Sequence, residues 1–120
     1  MNIPVQDKPV EPTEKQLATW GETRRTELLQ NFPNPFNPDT WIPYQLSEGA
    51  EVTIRIYTST GQLVRTLDLG QRPSGAYLSK ERAAYWDGRN ESGETVASDV
   101  YFYTMEAGGH IGLKKMILAR

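Results

Sequence analysis

The nine residues Gln30-Asn31-Phe32-Pro33-Asn34-Pro35-Phe36-Asn37-Pro38 hold three prolines. Each proline removes a backbone donor and holds φ near −65°, and each pushes the residue before it away from helical geometry. The stretch is expected to be an extended, stiff lead-in at an edge, because the interior of a sheet does not tolerate missing donors. Phe32 and Phe36 stand on that lead-in as large apolar groups that favour burial. They should plug one end of a core built by the residues that follow.

The chain has 120 residues, which suits one modest domain with a tail. Its net charge of −2 offers no basic field for a phosphate backbone, so nucleic acid is not an expected partner. With no cysteine and one histidine, His110, disulfides and thiolate chemistry are excluded and zinc ligation is disfavoured. No apolar run approaches the roughly 20 residues of a membrane span. The start, Met1-Asn2-Ile3-Pro4-Val5, has neither the basic nor the apolar region of a signal peptide. It reads as a linker interior with an added initiator, so the chain is expected to be the end of a longer secreted protein.

Residues 1–12 have the proline-rich, charged composition of a linker. Thr13 with Gln16 fits a capping box, and Leu17, Trp20 and Leu28 lie near one helical face. A short helix over 13–27 is therefore expected, despite Gly21 and an interruption at Arg24. The first 27 residues are assigned as linker and helix, and 28–120 as one β domain.

From Thr40 the apolar period becomes two. Ile42, Tyr44 and Leu46 should face inward, with Pro43 placing that strand at an edge. Val52, Ile54 and Ile56 mark a strand with one buried side, and Thr58-Ser59-Thr60-Gly61 a tight hairpin. The return strand, 62–67, turns Val64 inward, and 70–75 is expected to be a loop. Short strands follow at 83–86 and 94–96. Val100 to Met105 should be central, and 111–118 should close the domain. Short strands with glycine turns between them predict an all-β fold, an Ig-like antiparallel β-sandwich of about seven strands.

Asp87, Asn90 and Glu94 form the densest group of oxygen ligands and could serve calcium from one loop. Their spacing is not that of an EF-hand, and Asp87-Gly88 and Ser92-Gly93 are equally turn chemistry. Trp41, Tyr44, Tyr85, Trp86, Tyr101 and Tyr103 could stack on sugars, but in a sandwich such rings usually pack between sheets. Trp86 suits a core plug; Trp41 is the better candidate for an exposed contact. No nucleophile, base and orienting group fall together, so no enzyme activity and no cofactor are expected.

Four segments occur in order: QNFPNPFNP, IRIYTSTGQLVRTL, AYWDGRNESGETVASDVYFY and KKMILAR. Their series resembles the Ig-like C-terminal sorting domain of proteins exported by the type IX secretion system, and the related Ig-like domain of the flagellar hook-capping protein. The resemblance spans Leu28 to Arg120. It implies a non-catalytic export, sorting and surface-attachment signal at the end of a larger cargo protein. The implied partners are the secretion machinery and a sortase-like enzyme, and the implied location is secreted or cell-surface, after passage through the periplasm. Carried over by position, Asn34, Pro35 and Phe36 correspond to the first recognition motif. Lys114, Lys115, Met116, Ile117 and Leu118 correspond to the last, and Val100-Tyr101 lie in the one between. Where the family carries glycine before that Val-Tyr, this chain has Asp99. Lys114 and Lys115 also suit a solvated edge, where lysine discourages sheet-to-sheet pairing. The other readings of the same body are a carbohydrate-binding module and a structural assembly sandwich, either one appended to an extracellular enzyme.

Overall fold

The computed structural model describes residues 25–120. Among them are nine strands: β1 (Glu27–Leu28), β2 (Thr40–Ile42), β3 (Tyr44–Leu46), β4 (Ala50–Thr58), β5 (Leu63–Arg72), β6 (Gly75–Tyr77), β7 (Ala84–Trp86), β8 (Asp99–Ala107) and β9 (His110–Leu118). The main sheet has the order β9-β8-β4-β5, and every pairing in it is antiparallel. The opposing layer is divided into β1-β3-β6 and β2-β7.

Alternation builds the main sheet. Val52, Ile54 and Ile56 of β4, Tyr101, Tyr103 and Met105 of β8, and Met116 and Leu118 of β9 turn to one side and are buried. The second layer returns Leu28, Ile42, Tyr44, Leu46, Tyr77, Ala84 and Trp86 to the same core. Aromatic rings join the layers at one end. Trp86 lies 5.6 Å from Phe36 and meets Tyr101 edge-on at 5.8 Å, separations at which such pairs attract beyond their buried area. The inward positions expected for Ile42, Tyr44, Leu46, Val64 and Trp86 are all occupied as expected.

Several boundaries differ from the sequence reading. Most of the helix expected over 13–27 lies outside the described residues. Its last turn does not form, because Glu27 and Leu28 pair with Gln45 and Tyr44 instead. Leu28 is buried there, and its side chain packs directly over Gly112. Core burial plus a ladder outweighs a sparse helical stripe. The strand expected through Thr40 to Leu46 is cut by Pro43 into β2 and β3, which join different sheets. Proline cannot donate to a ladder, so the chain switches partners at that point, while the Pro43 carbonyl accepts from Leu29 N–H at 3.0 Å. The loop expected from Gly70 is instead the end of β5. The ladder continues past a bulge between Val52 and Thr53 until Ala50 faces Arg72. Residues 94–96 form no strand, only a bridge from Thr95 to Arg89. Among the described residues the count is thus nine strands rather than about seven, four of them nine or ten residues long.

The β7–β8 connection is pinned by close approach. Gly88 has φ of +77°, and a Cβ there would lie 2.5 Å from the Pro38 carbonyl oxygen. Gly93 has φ of +83° but open space around it. Gly88→Ala should therefore cost more than the roughly 1–2 kcal/mol of a left-handed alanine, and Gly93→Ala only about that. Thermal denaturation should show Gly88→Ala melting lower than Gly93→Ala by about 5 °C or more.

Candidate functional site: the terminal strand and its lead-in

β9 is an edge strand of the main sheet, and the proline-rich lead-in docks on its free side. Phe36 N–H donates to the Ile117 carbonyl at 2.9 Å, and Ala119 N–H donates to the Phe36 carbonyl at 3.0 Å. Phe36 and Leu118 thereby form a parallel bridge. One turn earlier, the Asn34 Oδ1 accepts from Ile117 N–H at 2.9 Å, so a side chain substitutes for the backbone acceptor that a straight strand would supply. Gln30 Nε2 donates to the Lys115 carbonyl at 2.8 Å. The Phe36 ring is 1% exposed, which fastens the lead-in to the core as well as to the edge.

The lead-in is not an extended rod. Bends fall at 33–35 and 37–38, and the peptides before Pro33, Pro35 and Pro38 are cis. A buried polar network holds this shape. Asn31 Nδ2 donates to Thr40 Oγ1 at 3.0 Å and to the Pro33 carbonyl at 3.1 Å, and Thr40 Oγ1 donates to that carbonyl at 3.0 Å. Asn31 N–H donates to the Tyr103 hydroxyl, which donates in turn to the Leu29 carbonyl, both at 2.9 Å. Burial is the main cause that pushes the Tyr103 pKa up to about 12, against a smaller lowering by the Asn31 N–H. Sequence reasoning did not single out Asn31, Thr40 or Tyr103 for this role. The only signal was a tyrosine at an inward position, whose hydroxyl must find a partner when buried.

The motif residues thus come together. Asn34, Pro35 and Phe36 lie against Ile117 and Leu118, although more than 80 positions separate the Asn34–Ile117 pair. Met116 and Leu118 point into the core, whereas Lys115 and Ile117 are exposed and Lys114 is half-buried. Among the described residues neither lysine forms a salt bridge. Asp99 opens β8 opposite Leu118, and its carboxylate accepts from Val100 N–H at 2.7 Å. Arg120 closes the end, donating from Nε to the Val96 carbonyl at 2.8 Å and from its guanidinium to the Gly88 carbonyl at 3.2 Å.

The oxygen-rich turn forms a separate unit. Asp87 Oδ1 accepts from Arg65 at 3.1 Å and from Arg89 N–H at 3.0 Å. Asn90 Oδ1 accepts from Ser92 N–H at 3.0 Å and Glu94 N–H at 2.9 Å, and Asn90 Nδ2 donates to Glu94 Oε1 at 3.1 Å. Among the described residues no group of three or more His, Cys, Asp or Glu side chains is placed to share a metal ion. The aromatic set is dispersed: Tyr44 stacks on Tyr77 at 4.7 Å, and Trp86, Tyr101 and Tyr103 are in the core. Trp41 and Tyr85 remain on the outer side of β2 and β7, with rings 5.3 Å apart and Lys80 Nζ 4.3 Å above Trp41.

A two-layer antiparallel body of this kind, closed by a lead-in at one edge, is an Ig-like domain. A family model described as the FlgD Ig-like domain matches residues 38–110, and the chain belongs to that family. The matched region is the body alone; the Asn34-Pro35-Phe36 and Lys114–Leu118 segments flank it. Among solved structures, the chain is similar to dimeric latent PorU from Porphyromonas gingivalis, with 22% identity and a TM-score of 0.60 over 78% of this chain and 9% of that one. It is also similar to PorZ, described as an essential bacterial surface component of the type-IX secretion system of the same organism, with 23% identity and a TM-score of 0.49 over 76% of this chain and 11% of that one. The chain therefore spans about a tenth of either protein's length, and the likeness to PorU is one of fold. No curated protein matches it.

Two outcomes test this junction. Asn34→Ala removes one exposed acceptor worth about 1 kcal/mol, so hydrogen exchange at the Ile117 amide should speed up about fivefold while the melting temperature moves by only a few degrees. The raised Tyr103 pKa means the unfolded chain gives up that proton first as pH rises, so stability falls between the ordinary pH 10.0 and about 12. Tyr103→Phe should lower stability by about 1–3 kcal/mol at pH 7 and flatten the alkaline loss, as read by denaturant titration across that window.

Proposed function

We propose that this chain is a non-catalytic C-terminal module that serves as an export, sorting and surface-attachment signal for a larger secreted protein. On this reading residues 28–120 form the module, the pairing of Glu27 with Gln45 extends it by one residue, and the residues before that are its linker to the cargo. The recognition segments are Asn34, Pro35 and Phe36 with Lys114, Lys115, Met116, Ile117 and Leu118, and protein–protein contact is made by their exposed members, while Phe36, Met116 and Leu118 are buried and hold the rim in place. The partners on this reading are the secretion machinery and a sortase-like enzyme, met after passage through the periplasm.

The observation that carries the reading is the physical union of the first and last motifs. Met116 and Leu118 anchor the terminal strand in the core, while Lys115 and Ile117 remain on the surface. Alternation thus lets one short segment both complete the fold and display a contact face. A receptor reading that face reads a finished domain, because the Ile117 backbone is ordered by a lead-in that begins the same domain. Membership of an Ig-like family and the four ordered motifs support this reading over a sugar-binding one, since the rings required for stacking are mostly in the core.

The test is a secreted reporter fused ahead of the whole chain in a host with the type IX system. Deletion of 114–120 should abolish export, and Lys115→Ala with Ile117→Ala should reduce it while leaving the purified domain's melting temperature within a few degrees of the parent. Export that survives the deletion would overturn the proposal.

A further inference from the structure

The outward backbone of β9 is only partly covered. Ile117 uses both its N–H and its carbonyl on the lead-in, and Lys115 uses its carbonyl on Gln30. β9 runs in unbroken register with β8 from His110 to Leu118, so successive residues turn their backbone groups alternately toward β8 and away from it. Leu113 and Ile111 therefore point theirs outward as Ile117 does. Among the described residues those groups have no backbone partner.

The side chains at the same positions reinforce this. Ile111 and Leu113 are 67% and 63% exposed, more than any other large apolar side chain described. Lys115 follows on the same face, without a carboxylate partner among the described residues. The chain as a whole is acidic, at −2, yet this edge carries two adjacent lysines. Its nearest acid on the outer face of β8, Glu106, is already paired with Arg55 at 3.1 Å. Open backbone at Ile111 and Leu113, their two aliphatic side chains and the unbalanced cation of Lys115 thus lie along five residues.

We propose that the β9 edge from Ile111 to Lys115 accepts an extended strand of a partner protein, with aliphatic residues facing Ile111 and Leu113 and a carboxylate facing Lys115. Backbone hydrogen bonds supply the attraction and the alternate side chains the choice of partner. A second copy of this chain suits the edge less well. Antiparallel self-pairing about Leu113 sets Lys115 against Ile111 of the other copy, and five residues bury far less than the roughly 1,600 Å² of a stable interface. The proposal rests on the reading of the β9 rim as the contact surface, but it is tested without secretion.

The probe is the peptide acetyl-Thr-Glu-Thr-Val-Thr-Val-Thr-amide, titrated into the full chain and followed by amide NMR and hydrogen exchange. The Ile111 and Leu113 amides should shift and become protected, and replacing the peptide's Glu by Lys should weaken binding about threefold to fivefold. Leu113→Pro removes only an outward donor, which an edge tolerates, and should abolish binding. Lys115→Glu keeps the test valid if that variant misfolds, because it should reverse the preference toward the lysine peptide. Absence of binding, equal affinity for both peptides, binding that survives in folded Leu113→Pro, or peptide-free protection of Ile111 and Leu113 in a concentration-dependent dimer would each overturn the proposal. Loss of export on deleting 114–120 alongside a failed peptide titration would leave the sorting role standing and remove strand addition alone. Export without 114–120 alongside a successful titration would do the reverse.

Discussion

The pairing of Phe36 with the last strand is the contact on which the domain's closure depends. Two backbone hydrogen bonds join Phe36 to Ile117 and Ala119, and the Phe36 ring enters the core beside Trp86. Burying such a ring contributes about 2–3 kcal/mol, and the backbone bonds add about 1 kcal/mol each. Together these are a large share of the stability of a small domain. They also join the beginning of the β body to its end, so the terminal strand is held on one side by β8 and on the other by the lead-in.

That arrangement divides β9 into two regions with different surroundings. From Lys115 to Leu118 the edge is covered by Gln30, Asn34 and Phe36. From Ile111 to Leu113 it is open and apolar. Exposed edges invite pairing with other chains, and proteins usually blunt them with lysine, proline or a cover. This chain has all three within one strand's length: Lys114 and Lys115, the prolines of the lead-in, and the lead-in itself. The uncovered portion is short, which leaves little template for open-ended aggregation. A rim of this kind presents backbone and alternating side chains, not a cleft, and on the proposed reading it serves recognition.

The buried polar network beneath the lead-in explains why an asparagine and a threonine occupy buried positions that apolar residues usually fill. Asn31 and Thr40 are 3% and 0% exposed, and each would cost free energy if left without partners. Their bonds to the Pro33 carbonyl and to each other satisfy them and define one path for a segment that cannot use ordinary ladder bonds. Tyr103 extends the network to Leu29 and Asn31. The proline-rich segment thus has a single shape because polar groups 9 and 72 positions apart complete each other.

Periodicity and punctuation alone determined the class of this protein. Alternation in β4, the hairpin at Gly61, the inward Ile42, Tyr44 and Leu46, and an aromatic central strand were all legible, because each depends on a residue and its near neighbours. The turn chemistry around Asp87 to Glu94 was legible for the same reason. The tertiary structure decided the features set by distant partners: that Glu27 and Leu28 join β3 instead of ending a helix, that Pro43 sends β2 and β3 to different sheets, and that β5 runs past Gly70. It also decided that the first and last motifs are one surface, and that Tyr103 supports the lead-in. Local sequence encodes which face of a strand is apolar, but the partner that satisfies a given N–H or hydroxyl is chosen only when the chain closes, by groups far away along it.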